Sequence, residues 1–267
     1  MTNWEFPCSE PASISISSWP SGSVAVSGEP TDVITVQVEP SSSRAEDLLS
    51  EVRVSFDDGK LVVTGPRITG FLGRKGLDLT IKAPAGSECE ARTASADISC
   101  VGEFGALTLD TASGDITAAS ASGPVVLKTA SGDVFLDQAA GDASINSASG
   151  DVQVGHARGE LRVKSASGDL TIGDCGGSVT AHTTSGDIDI KELVSGRAEL
   201  EATSGDVNVT VAAGIGVYLD LSSLSGSVRS DLDEADDEDS GDHEASLELR
   251  CRTISGDIRI RKGMTRV

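Results

Sequence analysis

The phrase Thr-Ala-Ser-Gly-Asp-Ile at residues 111–116 decides the fold, because close copies of it return at a fixed interval. Its Ser-Gly-Asp core begins at Ser113, Ser131, Ser149, Ser167 and Ser185, each 18 residues after the one before. Ser95-Ala96-Asp97 is a variant one period earlier, and the copies at Ser204, Ser225 and Ser255 are more widely spaced. A fixed period of this length indicates that one supersecondary unit is stacked many times.

Each period contains two short strands separated by two different turns. After Ser-Gly-Asp, aliphatic residues alternate with polar ones, as at Val152 and Val154, and a looser glycine turn then precedes a second alternating pair, as at Leu161 and Val163. Such alternation turns one face of each strand inward. We therefore predict an all-β fold, in which stacked 18-residue β-repeats form a flattened parallel β-solenoid. An antiparallel sandwich could use similar units, but it gives no reason for alternate turns to differ.

The repeated turn residues have a structural interpretation. Glycine tolerates the positive φ angles of a tight corner, and serine and aspartate side chains can bond to exposed backbone N–H groups. We expect this corner role for Gly114, Gly132, Gly150, Gly168, Gly186 and Gly205.

Stacking also places the turn aspartates in one column of like charges, which backbone N–H donors or bound cations could offset. A calcium column is therefore the alternative interpretation of Asp115, Asp133, Asp151, Asp169, Asp187 and Asp206. Calcium β-rolls, however, carry a denser G-G-x-G-x-D pattern at every turn, so structural capping is favoured. A second column, of Thr or Ser two positions before each turn serine, is interpreted as cross-strand hydrogen bonding rather than as an ice-binding row.

Residues 1–76 differ from the repeats and are predicted to form a β-rich N-terminal cap. Capping-box spacing at Ser43 and Glu46 predicts one short helix, and Asp58-Gly59 between two β-rich runs predicts a hairpin. A glycine-rich loop then carries Arg67, Arg74 and Lys75. The predicted solenoid covers residues 77–267 and contains an acidic insertion at 231–244, which we expect to be solvated and disordered.

The net charge of -21 at pH 7 opposes binding to nucleic acid or to an anionic membrane surface. No stretch approaches the length of about 18 apolar residues that spans a bilayer, and residues 1–7 lack the features of a secretory signal. Five cysteines without a C-x-x-C pair are typical of reduced thiols. We therefore expect a cytoplasmic protein with no cofactor and no direct membrane insertion.

No catalytic constellation is visible. His156, His182 and His243 are isolated in the sequence, whereas a catalytic triad needs a nucleophile, a base and an orienting group that converge. The sequence contains no G-x-S-x-G, P-loop or H-E-x-x-H motif. These observations predict a non-enzymatic protein, while a site at the junction of cap and solenoid stays open as a third class.

Basic residues concentrate in the coil that comes last in the sequence. The candidates for contact with an acidic partner are Arg250, Arg252, Arg259 and Arg261. Charged side chains on a terminal strand also block edge-to-edge addition of another sheet, so end protection and pairing with the acidic insertion are the favoured interpretation. The basic end and the acidic flanks predict self-association as a separate hypothesis.

The run Leu77-Asp78-Leu79-Thr80-Ile81-Lys82-Ala83-Pro84-Ala85-Gly86-Ser87, followed by Thr93-Ala94-Ser95-Ala96-Asp97-Ile98 and the serial Thr-Ala-Ser-Gly-Asp copies, resembles a known family. It is the bacterial β-strand-repeat family of putative adhesins, also called the toast-rack domain. The resemblance covers roughly residues 77–267 and implies a stacked β-repeat fold with a binding or scaffolding role, linked in some members to envelope stress. It carries over no catalytic residue.

Together these features predict a non-enzymatic structural or scaffolding protein that binds an unidentified protein partner through an elongated acidic surface. The alternative is an envelope-associated adhesin or envelope-stress component, which would reach the membrane peripherally through a partner.

Overall fold

The computed structural model describes residues 1–66, 76–232 and 246–263, without the side chain of Arg44. The chain is an all-β protein of solenoid architecture, as the 18-residue period predicts. It divides into two compact units, Met1–Gly141 and Asp142–Val267. The predicted loop residues Arg67, Arg74 and Lys75 and most of the acidic insertion lie outside the described residues.

The first unit contains ten strands in its described residues, and a 3₁₀ helix (Ser43–Glu51) lies between the third and the fourth. In chain order the strands are β1 (Thr2–Pro7), β2 (Ser13–Glu29), β3 (Val33–Pro40), β4 (Arg53–Asp57), β5 (Lys60–Thr64), β6 (Leu77–Pro84), β7 (Ser87–Thr111), β8 (Ile116–Ala121), β9 (Val125–Ser131) and β10 (Val134–Ala139), with β11 (Ala143–Ser149) opening the second unit.

The long strand β2 forms a coil of its own. Its first half pairs in parallel with β5 and β7, so that Ile14 lies opposite Leu61 and Cys89. Its second half pairs in parallel with β6 and with a later part of β7, where Val24 lies opposite Ile98. Part of the N-terminal region thus has the parallel pairing of the repeats.

Antiparallel strands complete the N-terminal region. β3 pairs with β6, β1 pairs with β3, and β4 pairs with β5. The predicted hairpin is confirmed between β4 and β5, because both turn residues have positive φ, 46° at Asp58 and 73° at Gly59. The predicted helix is present in the tighter 3₁₀ form, and Ser42 at its N-cap makes no side-chain capping bond.

The rest of the second unit continues the two-strand coil. Its remaining strands are β12 (Val152–Ala157), β13 (Leu161–Ser167), β14 (Leu170–Cys175), β15 (Val179–Ser185), β16 (Ile188–Leu193), β17 (Gly196–Ser204), β18 (Val207–Val211), β19 (Val217–Ser225), β20 (Val228–Ser230), β21 (Leu247–Ser255) and β22 (Ile258–Lys262). Odd-numbered strands stack in parallel on one face and even-numbered strands on the other.

Aliphatic columns between the two faces form the core. Leu170, Ile188 and Val207 are aligned in successive coils, and each is at most 1% exposed. Leu161 and Val179 are aligned in the same way on the other face. Full burial of one such side chain contributes about 1.5–3 kcal/mol, so the columns are the main source of stability.

The coils do not follow sequence order at the C-terminal end. β21 lies between β17 and β19, and β22 lies between β18 and β20. The expectation that the arginine-rich coil of β21 and β22 ends the solenoid is therefore wrong, because the coil of β19 and β20 lies outside it. The sequence marks the coil of β19 and β20 as the outer one, because its corner, Ser225-Gly226-Ser227, has no aspartate.

Candidate functional site

The turn aspartates form a hydrogen-bonded ladder. In the first unit, Asp97 Oδ1 accepts the backbone N–H of Asp115 at 3.0 Å, and Asp115 Oδ1 accepts that of Asp133 at 2.9 Å. Each carboxylate therefore receives a donor from the next coil. Hydrogen bonds to ionised acceptors are about twice as strong as neutral ones, which explains how stacked like charges are tolerated.

The second unit repeats the ladder over more coils. The backbone N–H groups of Asp169, Asp187 and Asp206 donate to the carboxylates of Asp151, Asp169 and Asp187 at 2.9, 2.9 and 2.7 Å. The next rung joins Asp257 N–H to Asp206 Oδ1 at 2.8 Å, although these residues are far apart in sequence. The ladder thus follows the spatial order of the coils.

The ladder ends at Asp257. Its Oδ1 accepts the backbone N–H of Ser227 at 2.9 Å, and Ser227 has no carboxylate with which to continue. The Ser227 N–H lowers the pKa of Asp257, and the Ser227 hydroxyl and the nearby charges of Arg259 and Arg229 lower it further. Arg259 also donates to Asp206 Oδ2 at 3.0 Å and to Asp257 Oδ2 at 2.6 Å, so it joins the last two carboxylates.

The corner glycines allow the coils to approach closely. A Cβ on Gly186, whose φ is 146°, would lie 2.1 Å from the carbonyl oxygen of Gly168. Gly150, Gly168 and Gly205 also have positive φ. Close approach is the reason for glycine at Gly132, where a Cβ would lie 2.1 Å from the carbonyl oxygen of Gly114.

The hydroxyl column is buried. Thr111 is 2% exposed and shares a hydrogen bond of 2.9 Å with Thr93. The column is therefore part of the interior edge of the coils and cannot present a flat row to ice. Two of its hydroxyls, on Ser147 and Thr183, are buried and have no hydrogen-bond partner within the described chain.

An open groove of about 600 Å³ lies beside this column in the second unit. One wall is a row of outward side chains aligned in successive coils, Lys164, His182, Glu201, Arg252 and Ser222. The floor contains Ser165, Thr183, Ala202, Thr253 and Ser223, and the other wall contains Thr184, Thr203, Ile254 and Leu224. Polar donors and an apolar edge are thus combined in one concave surface.

Some charged side chains of the first wall have a close ion-pair partner, and others do not. His182 Nδ1 lies 3.0 Å from Glu201 Oε2, so this carboxylate has a partner within the wall. Arg252 lies only at the outer limit of ion pairing with Asp220, at 3.9 Å. Lys164 forms no ion pair within the described residues. The wall therefore presents more donors than acceptors.

The four predicted contact arginines are distributed over two strands. Arg250 forms an ion pair with Glu248 at 2.9 Å, and Arg259 joins the aspartate ladder. Arg252 lines the groove, and Arg261 lies on β22. Only Arg252 of the four contributes to the groove.

The described residues contain no group of three or more His, Cys, Asp or Glu side chains that could hold a metal ion. His156 lies 3.4 Å from Asp174, but neither this imidazole nor His182 hydrogen-bonds to a serine or threonine hydroxyl in the described ranges. Burial raises the pKa of the Cys251 thiol to about 12 and also raises that of Cys175. A protonated, buried thiol is a poor nucleophile.

In the part of the chain that the structure describes, no helix has the length and apolar character needed to cross a bilayer.

Comparison with known protein families gives a match that includes the repeats. The model of the family Toastrack DUF4097 matches residues 12–261, which is most of the chain. The chain belongs to the Toastrack DUF4097 family. No match for this Toastrack chain was found among curated proteins.

Several solved structures are similar to the Toastrack chain. A protein described as a putative adhesin from Bacteroides fragilis shares 14% identity over 97% of this chain and 96% of its own, with a TM-score of 0.43. Another so described, from Parabacteroides distasonis, shares 11% identity over 97% and 96%, with a TM-score of 0.36. A protein described as a putative cell adhesion protein from Clostridium sporogenes shares 12% identity over 98% and 99%, with a TM-score of 0.25.

Proposed function

We propose that the chain is a non-enzymatic scaffold that binds a protein partner along its acidic β-repeat surface. The observation that carries this proposal is the alignment of outward side chains from coil to coil. Successive coils lie about 4.8 Å apart, so the same kind of group is repeated along a line. Repeat proteins use such regular surfaces to contact extended stretches of a partner.

The aspartate ladder supplies the acidic part of this surface. In the second unit, Oδ1 of Asp151, Asp169 and Asp187 is used to hold the next coil. All three residues are exposed at the corner. A partner with a basic surface would therefore meet evenly spaced negative charges. Complementary charge of this kind steers association and selects the partner.

The test separates the charge of the ladder from its structural bonds. Replacement of Asp151, Asp169 and Asp187 by asparagine leaves an oxygen to accept each backbone N–H but removes three charges. Full-length wild-type and triple-variant chains are immobilised at equal density, and host proteins are captured at low salt and eluted by salt. We expect a host protein that the wild type captures and the variant does not, while the melting temperatures of the two chains stay close.

The control is a second variant in which Asp110 and Asp137, two outward aspartates away from the corner, are replaced by asparagine. It should capture the partner as the wild type does. Equal capture by the triple variant, or no salt-sensitive capture by the wild type, would contradict the proposal.

Association with the cell envelope is the second candidate, because the resemblance implies it and the relatives named above are described as adhesins. The full chain would then be recovered mainly with washed envelope membranes after fractionation of the native host. Recovery in the soluble fraction supports the scaffold without envelope attachment. Light scattering at low and high salt tests self-association in the same preparation, and a monomer at both would contradict that hypothesis.

A further inference from the structure

The groove of the second unit combines three features that the aspartate ladder does not have. Its wall contains two cationic side chains, Lys164 and Arg252, without a close ion pair in the described residues. Its floor is polar and already hydrogen-bonded, since Thr253 and Ser223 donate to the carbonyl oxygens of Gly205 and Gly256. Its edge contains Ile254 and Leu224, which are 54% and 81% exposed.

The polar groups of the groove that lack a close partner define the chemistry of an occupant. Glu201 is the acidic group among the lining residues, and it is already paired with His182. The groups left over are the ammonium of Lys164 and the guanidinium of Arg252, both of which can donate. An occupant that supplies acceptor oxygens would satisfy them.

The register of the strands fixes the distance between the two cations, and hence between the acceptor groups that an occupant must supply. Lys164, His182, Glu201 and Arg252 lie on four successive coils, so the two cations are roughly 14 Å apart. An extended peptide advances about 3.3 Å per residue, so two carboxylates four positions apart match this distance. The exposed Ile254 and Leu224 lie at the end of the groove that contains Arg252.

We propose that the groove binds an extended peptide segment with two carboxylates about four residues apart and an apolar side chain next to one of them. The carboxylates contact Lys164 and Arg252, and the apolar side chain contacts Ile254 and Leu224. The inference rests on the proposed function, because the segment belongs to the protein partner.

Two features limit the sequence of the segment. The nearby aspartate corner repels a continuous acidic run, so isolated carboxylates are favoured over a polyacidic stretch. An acyl chain along the groove would lie against the charged side chains of Lys164, Glu201 and Arg252, which disfavours it. A peptide backbone supplies carbonyl oxygens along its length and suits such a polar wall.

The experiment uses the full chain and a fluorescent peptide of about eight residues, with two aspartates four positions apart, a leucine beside the second, and serine and glycine elsewhere. Fluorescence anisotropy measures its dissociation constant. Replacement of both aspartates by asparagine, or of Lys164 and Arg252 by glutamine, should weaken binding at least about tenfold. Arg162→Gln is the matched control, because Arg162 is outward-facing on the same strand as Lys164, pairs with Glu160 and does not line the groove.

A second variant separates binding from folding. Thr183→Val removes a hydroxyl without accessible surface and keeps the shape of the side chain, so the melting temperature should stay the same or rise and the peptide should bind as it does to the wild type. Weaker peptide binding in this variant at an unchanged melting temperature would contradict the assignment of the contacts to Lys164 and Arg252.

Three outcomes would overturn the inference: no saturable binding of the peptide, equal binding of its asparagine form, or saturable binding of a fluorescent fatty acid in its place. These outcomes are distinct from failure of the proposed function. If the capture of a host protein is salt-sensitive but unchanged by the Lys164 and Arg252 substitutions, the scaffold proposal stands and only the groove proposal is rejected. Peptide binding without capture of any protein would reject the scaffold.

Discussion

Asp169 offers the sharpest test of the ladder. Its Oδ1 accepts the backbone N–H of Asp187 at 2.9 Å, and its own N–H donates to Asp151. Asp169→Ala removes the acceptor and one charge, whereas Asp169→Asn removes the charge and keeps an acceptor oxygen. The two substitutions therefore separate the hydrogen bond from the electrostatic repulsion.

The expected magnitude is the difference of two effects. A hydrogen bond to a charged acceptor contributes about 1.5–3 kcal/mol. Repulsion from each neighbouring carboxylate, at about 5 Å in water, costs somewhat under 1 kcal/mol and is reduced by salt. We therefore expect Asp169→Ala to lower the free energy of unfolding by about 1 kcal/mol, and by more at high salt. Asp169→Asn should change it by less than about 0.5 kcal/mol.

Urea unfolding measures the free energies, and amide hydrogen exchange measures the bond itself. In Asp169→Ala the amide of Asp187 should exchange faster than in the wild type, while in Asp169→Asn it should stay protected. Asp137→Ala is the control, because it removes an outward aspartate that lies outside the ladder. Equal destabilisation by alanine and asparagine at Asp169, or an unchanged Asp187 amide in the alanine variant, would refute the hydrogen-bonded ladder.

Three further predictions concern the corner, its pH dependence and the order of the coils. Gly186→Ala should destabilise the chain by about 2–3 kcal/mol, since its Cβ would meet a carbonyl oxygen, whereas Gly176→Ala has open space and should cost less than about 0.5 kcal/mol in urea unfolding. The pKa of Asp257 is lowered in the folded state, so the ionised carboxylate stabilises the fold at any pH above its unfolded pKa. This stabilisation is lost as the pH falls below about 4. The difference in unfolding free energy between Asp257→Asn and the wild type should therefore vanish in acid. Cysteines replacing both Ser204 and Ser255, which are direct neighbours in register, should form a disulfide on mild oxidation. Free thiols at both positions would favour coils stacked in sequence order, which would separate them by two layers.

The period of the sequence was sufficient to predict the coil. Alternation at Val152 and Val154 specifies inward residues, and the fixed interval aligns them with Leu170 and Ile172 in the next coil. Local patterns were less decisive near the N-terminus. Proline usually marks the end of a strand, but β2 continues through Pro20, because both halves of the strand find parallel partners.

Coil order could not be deduced from the period. Glu201 and Arg252 are neighbours in the groove only because β21 lies between β17 and β19. The residues that signal this order are Ser227, which cannot continue the carboxylate ladder, and Asp257, which can. Their meaning depends on knowing that each carboxylate accepts an N–H from the next coil.

The groove was also beyond sequence reasoning. Lys164 and His182 are one period apart, so their alignment follows from the repeat. The unpaired hydroxyl of Thr183 depends on side-chain geometry, and a repeat that treats all Thr and Ser alike does not distinguish it from Thr111, which has a partner.

Thermal unfolding with and without calcium tests most directly whether hydrogen bonds or bound cations hold the aspartate column together. The hydrogen-bonded ladder predicts the same melting temperature, within about a degree, in EDTA and in millimolar calcium, because backbone N–H groups already occupy Oδ1 of the aspartates. A rise of many degrees in calcium, reversed by EDTA, would contradict it and assign the column of Asp115, Asp133, Asp151, Asp169, Asp187 and Asp206 to cation binding.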